Sequence, residues 1–307
     1  TRGWEYWHQL FNPRQLLVHG LIYETIKNLA ESKEEYVVGA LGLNKCADWD
    51  SKLGIWDSSK ANENSKSVFI NQALNPLYNY SGRGLLNLYN SWIYNINNNE
   101  FNININEIKP CDARNVSTKC DFWITDPPYA DAVNYHELSE FFLAWDKKII
   151  DNIFKGWYSD SKRVLAVKGK GESFNHSMIE IYSNLAKNTI DDGMQVVMFT
   201  HQDVKVWADL ALVLWASGLQ VTAAWNIATE TESGGLKDGG NYVKGTVILV
   251  LRKQNSDYTA YLDELYPEIE DEVKSQIDTM RDLDDKEDPN FTDADYLLAA
   301  YAASLKV

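Results

Sequence analysis

Cysteine, basic charge and long apolar runs are all scarce in this 307-residue chain. The three cysteines, Cys46, Cys111 and Cys120, form no Cys-x-x-Cys pair. That excludes a zinc ribbon or a disulfide framework and fits a reducing, cytoplasmic setting. Five histidines are scattered without metal-ligand spacing, so no metal is expected. No stretch approaches the about 18 apolar residues that a membrane-spanning helix needs, and no signal-peptide pattern is visible. Proline is also rare, at seven residues, so two in succession stand out.

Lys and Arg number 29 against 44 Asp and Glu, a formal charge of −15. A generic nucleic-acid binder would be basic. The acidity is concentrated, however: residues 256–307 hold 15 acidic and 4 basic side chains, leaving −4 for the preceding 255 residues. A locally positive face that includes Arg163, Lys168 and Lys170 is compatible with that distribution.

The pattern divides the chain into three regions. Residues 1–106 read as mostly helical or irregular. Asn12-Pro13-Arg14-Gln15 has the form of a helix start, with the helix running to about Ala30. A second helix is expected over Glu34–Leu43, followed by a polar connection. The Asn- and Ile-rich stretch 95–106 reads equally as an edge strand or a variable loop.

Residues 107–253 alternate strand and helix, the pattern of an α/β core. Strands are expected over Phe122–Thr125, Arg163–Lys168, Met194–Thr200, Leu219–Ile227 and Val243–Arg252, the last two as a closing antiparallel pair. Helices are expected over Glu137–Phe154, Ser173–Asn188 and Val204–Ala216. Residues 254–307 read as an acidic helical tail. Within it, Glu264–Asp288 reads as a helix pair, with Tyr258, Tyr261, Leu262, Leu265 and Tyr266 packed back on the core.

The chemistry is concentrated in Asp126-Pro127-Pro128-Tyr129, directly after the strand Phe122-Trp123-Ile124-Thr125. Consecutive prolines fix φ and remove donors, which makes a rigid loop at a strand's C-terminal edge, where open α/β sheets bind ligands. A carboxylate, a prolyl carbonyl and a flat ring can together hold an exocyclic amine. Two acceptors take its two N–H bonds and the ring stacks on the base.

This tetrapeptide resembles motif IV of the amino-group DNA methyltransferases, which methylate N6 of adenine or N4 of cytosine. The longer run from Thr125 through Ala130-Asp131-Ala132-Val133-Asn134-Tyr135, with Leu138-Ser139-Glu140-Phe141-Phe142, is similar to large adenine-specific methyltransferases. These are associated with phage defence and restriction–modification, and carry an N-terminal domain of unknown function. Phe11-Asn12-Pro13-Arg14-Gln15-Leu16, then Leu43-Asn44-Lys45 and Trp49, form a second match to the same group.

The resemblance implies a Rossmann-like S-adenosylmethionine-dependent methyltransferase sheet and DNA as partner. Asp126, Pro127, Pro128 and Tyr129 would hold a flipped base, and Asn134 and Tyr135 would line its pocket. Asp112 and Ala113 would lie at the cofactor's adenine; Asp112 reads equally as a turn cap. Phe141, Phe142 and Trp145 read as core. RNA or protein-glutamine methylation, and a non-catalytic subunit that binds DNA or a partner, are the alternative functions.

One element is missing. No Asp/Asn-Pro-Phe/Met-x-Gly-x-Gly loop is present to wrap the cofactor's methionine, since neither Gly82-Arg83-Gly84 nor Gly234-Gly235 follows a suitable strand. The sheet is therefore expected to be partial. The missing half would come from an upstream remainder of the same enzyme or from a defence-system subunit.

Overall fold

The computed structural model describes residues 5–57, 64–68, 108–128, 135–157, 167, 171–228, 245–255, 260–285 and 291–307. The expected strand Arg163–Lys168, the positive face built on it, the stretch 95–106 and Tyr258 fall outside those residues, Val167 excepted. The chain forms two compact units, one of residues 1–110 and 134–164, the other of residues 111–133 and 165–307.

In the first unit, α1 (Pro13–Leu29) and α2 (Lys33–Trp49) form a helical hairpin. Each begins with a reciprocal cap. The Asn12 side chain accepts from the Gln15 amide at 2.8 Å while Gln15 accepts from the Asn12 amide at 2.9 Å. Ser32 and Glu35 repeat the arrangement. Two backbone donors at each helix start are thereby satisfied. The helices meet closely at Gly39, where a Cβ would lie 2.6 Å from Ile26 Cγ2.

A short antiparallel ribbon, β1 (Ile55–Asp57) and β2 (Asn64–Lys66), follows. Helix α3 (Tyr135–Ile153) packs on α2 and supplies Phe141 to a core with Leu10, Phe11, Ala47 and Val68. Phe11 and Phe141 stack at 5.4 Å, with Trp145 edge-on to Phe11 at 5.5 Å. The expectation that Phe141, Phe142 and Trp145 serve the core agrees with this packing.

The second unit is mixed α/β. Its four-stranded sheet has the order β3 (Cys120–Thr125), β4 (Thr189–Phe199), β6 (Gly245–Lys253), β5 (Leu219–Ala228). β3 and β4 run parallel, with Ile124 opposite Val196; β6 is antiparallel to both β4 and β5. The closing antiparallel pair expected from the pattern is present.

Alternation then sets the faces. Val197, Val247, Leu249 and Leu251 are fully buried against α4 (Glu172–Asn188) and α5 (Val204–Ala216), which contribute Met178, Tyr182, Trp207 and Leu214. On the opposite face Phe122, Ile124, Trp225 and Ile227 are exposed. β3 is an edge strand among the described residues.

The C-terminal region differs from the expected tail. Leu262–Leu283 is a single helix, α6, rather than a pair within Glu264–Asp288. Tyr261 and Tyr266 are 69% and 64% exposed, so neither packs back on the core. The second helix, α7 (Asp293–Ser304), lies against β5 and β6 and puts Leu298 and Ala302 into the sheet's core. Small residues at 299, 302 and 303 permit that close approach.

Candidate functional site

The parallel pair β3–β4 directs two strand ends to one rim of the sheet, and antiparallel β6 begins there. Thr125 leads to Asp126 and Pro127, and Phe199 to Thr200 and His201. Thr200 Oγ1 donates to the Gly245 carbonyl at 3.2 Å, joining the β4 end to the β6 start. Asp295, fully buried on α7, fixes the same corner by accepting from the Gly245 amide at 2.8 Å.

At this rim Pro127 is buried and Asp126 exposed. Asp126 has no hydrogen-bond or ion-pair partner among the described residues. A buried proline beneath a free carboxylate is a rigid pedestal. Below it, a cleft of about 40 Å³ is lined by Pro127, Pro128, Gly171, Phe174, Phe199 and Asp209, among others.

Two side chains, Thr125 and Tyr182, hold the strand end, and Tyr182 was not singled out by the sequence. Tyr182, 1% exposed on α4, lies 3.4 Å from Thr125 Oγ1, which also lies 3.4 Å from the Val196 carbonyl. The carbonyl can only accept, so the consistent arrangement has Tyr182 donating to Thr125 and Thr125 donating to Val196. Burial pushes the Tyr182 hydroxyl up to about 12, opposed by its Thr125 hydrogen bond and reinforced by the Asp126 charge. Tyr182 therefore remains a donor. In the sequence it follows Phe174 and Met178 at helical spacing and reads only as core.

Tyr129 and Asn134 lie outside the described residues; Tyr135 opens α3, and only its backbone is described. The base-stacking ring and the pocket wall are thus not placed. Asp112 is placed differently from Asp126. It caps a single 3₁₀ turn, Ala113–Asn115, and grips Arg114 through both oxygens, the Arg114 Nη2 contact being 2.7 Å. The Arg114 hydrogen bond holds its carboxyl below the ordinary carboxylate value. The Ala113 carbonyl accepts from Asn184 at 3.0 Å. His201 serves its own turn: its Nδ1 accepts from the Asp203 amide at 3.0 Å, and its carbonyl from Trp207 Nε1 at 2.7 Å.

S-adenosylmethionine needs donors for a carboxylate and acceptors for its adenine amine. The Asp112 carboxylate is already occupied by Arg114, and the described residues present no glycine-rich loop. The exposed Asp126 carboxylate and the neighbouring prolyl carbonyl are the group types that accept from an amine. Among the described residues no group of His, Cys, Asp and Glu is placed to hold a metal, and no helix is long and apolar enough to cross a membrane. Nothing among protein-family models, curated proteins or solved structures matches the chain.

Proposed function

We propose that the second unit is the amine-holding half of a methyltransferase of α/β class, using S-adenosylmethionine bound largely by residues outside this unit. Its target is the N6 amino group of adenine in DNA. The observation that carries this reading is the exposed Asp126 carboxylate, without a partner among the described residues, on a buried Pro127 at the rim of a parallel strand pair. Further support comes from β3. Its backbone edge is open to a further strand among the described residues, and a layer packed on the outer face of the sheet would bury Phe122 and Ile124, now 60% and 72% exposed.

Adenine is flipped from the duplex at a cost of a few kcal/mol. Asp126 accepts one amino N–H and the Pro127 carbonyl the other, which turns the nitrogen lone pair away from both acceptors. The cofactor, when bound, supplies an electrophilic methyl group. The chain's own contribution is positioning and electrostatic complementarity to an amine that becomes positively charged. Asp126 need not be a strong base, because the nitrogen loses its proton after it has gained positive charge. Tyr182 and Thr125 keep the strand end, and with it the carboxylate, in place.

A second reading, a non-catalytic subunit that binds DNA or a partner, is favoured by the Asp112–Arg114 pairing and the missing glycine-rich loop. Transfer of a labelled methyl group from S-adenosylmethionine to duplex DNA, RNA and a glutamine-containing peptide separates the readings. Label recovered as N6-methyladenine from DNA is the expected result. Label in RNA or peptide moves the substrate class, and no label anywhere leaves the non-catalytic reading.

A further inference from the structure

The cleft beneath Pro127 and Pro128 holds two polar side chains for which the proposed transfer has no use. Asn175 comes from the first turn of α4 and Asp209 from α5, and both line the cleft. Each is half-buried, and neither side chain has a hydrogen-bond or ion-pair partner among the described residues. The neighbouring walls are apolar, formed by the two prolines and by the buried rings of Phe174 and Phe199. No lysine, arginine or histidine lines the cleft among the described residues.

A carboxylate only accepts hydrogen bonds, and its charge is costly where apolar walls displace water and no partner is present. An anion would be repelled there, and a hydroxyl would leave the charge uncompensated. A cation with N–H donors answers both needs. Asn175 can accept a second N–H through Oδ1, and aromatic walls favour a cation where aliphatic ones do not. The volume, about 40 Å³, sets the size of the occupant. It gives room for about three waters, which suits a group of a few heavy atoms and not a nucleoside.

We propose that this cleft is a seat for a compact alkylammonium group, with Asp209 as its counter-ion and Asn175 as its second acceptor. The ammonium belongs to a free small amine or to the tip of a lysine side chain presented at the rim. The seat stands apart from the amine-holding role of Asp126 and exists whether or not the chain transfers a methyl group.

Titration of the full chain with methylammonium chloride, followed by amide NMR shifts at constant ionic strength, tests the seat. The amides of Asn175 and Asp209 are expected to shift and to saturate in the range of about 1–10 mM. Asp209→Asn, of the same shape but without the charge, is expected to weaken binding by at least about tenfold with unchanged melting. Tetramethylammonium carries the charge but no N–H, and is expected to leave those amides in place. A Gly-Lys-Gly peptide with blocked ends that saturates them at lower concentration than methylammonium assigns the ammonium to lysine. Equal or weaker peptide binding assigns it to a free amine. No saturable shift with either probe overturns the proposal, as does saturation indifferent to Asp209→Asn or matched by tetramethylammonium. None of these readouts involves methyl transfer, so failure of the seat is distinct from failure of the transfer reading.

Discussion

Asp146, Asp50 and His19 are buried in the first unit at 6%, 4% and 0% exposure, and each leaves polar atoms unpartnered among the described residues. Asn44 donates to one Asp146 oxygen at 2.6 Å; the other has nothing. Burial raises Asp146 and Asp50 from 3.8 to about 6, with the Asn44 hydrogen bond opposing the shift at Asp146, and lowers His19 from 6.5 to about 4. The signs are opposite. A raised carboxyl binds its proton more tightly when folded, so its stabilising contribution is complete below pH 3.8 and lost as pH rises to about 6. His19, depressed, contributes stability that is lost as pH falls from 6.5 towards 4. Asp146→Asn should therefore match the wild type near pH 4 and exceed it by about 3 kcal/mol above pH 6. Urea unfolding across that range checks the prediction. A difference independent of pH would mean the carboxyl is not desolvated. Asp112 and Asp126 differ in their contacts: Asp112 is taken up by Arg114, and Asp126 has no partner among the described residues.

Among the elements, α7 illustrates how a helix read as part of a tail becomes structural. Asp295 is fully buried, yet it accepts from the Gly245 amide, the Thr292 amide and the Thr292 hydroxyl, while its carbonyl takes Asn226 Nδ2 at 3.0 Å. Asp295→Ala leaves the Gly245 amide unpaired and should cost about 2–4 kcal/mol, with loss of the β5–β6 corner in hydrogen exchange. Exchange at Gly245 unchanged from the wild type would contradict that role. Little of this was legible in the sequence, because an Asp in an acidic region looks solvated. Other elements were readable. Helix α5 has the bounds its pattern predicts, since Asp203 caps it and an apolar face runs its length. Helix α2 outruns the predicted end at Leu43, because Asn44 and Lys45 look like a connection while Cys46 and Ala47 continue the buried stripe. β4 begins five residues before the expected Met194, because Thr189 pairs with Cys120 across a register shift. The rim itself was readable from Asp126-Pro127-Pro128. Tyr182 was not, because the hydroxyl that supports the rim belongs to a residue spaced as core.

At the scale of the whole molecule, chemistry and acidity are separated along the chain. Helix α6 holds much of the negative charge and is tied to the chain end by the ion pair between Lys306 and Glu272. The rim of the sheet lies at the ends of β3 and β4, where the exposed Asp126 follows directly on the strand and Pro127 is buried beside it. The central claim is that Asp126 holds the adenine amine during transfer. Its most direct test is nucleoside analysis of DNA from cells making the wild-type chain or Asp126→Ala, with whatever partner the chain requires present in both. The account predicts N6-methyladenine with the wild type and a loss of about 10²–10³-fold with the variant, at equal protein and unchanged melting. Equal methylation in the two, or none with the wild type, would contradict it.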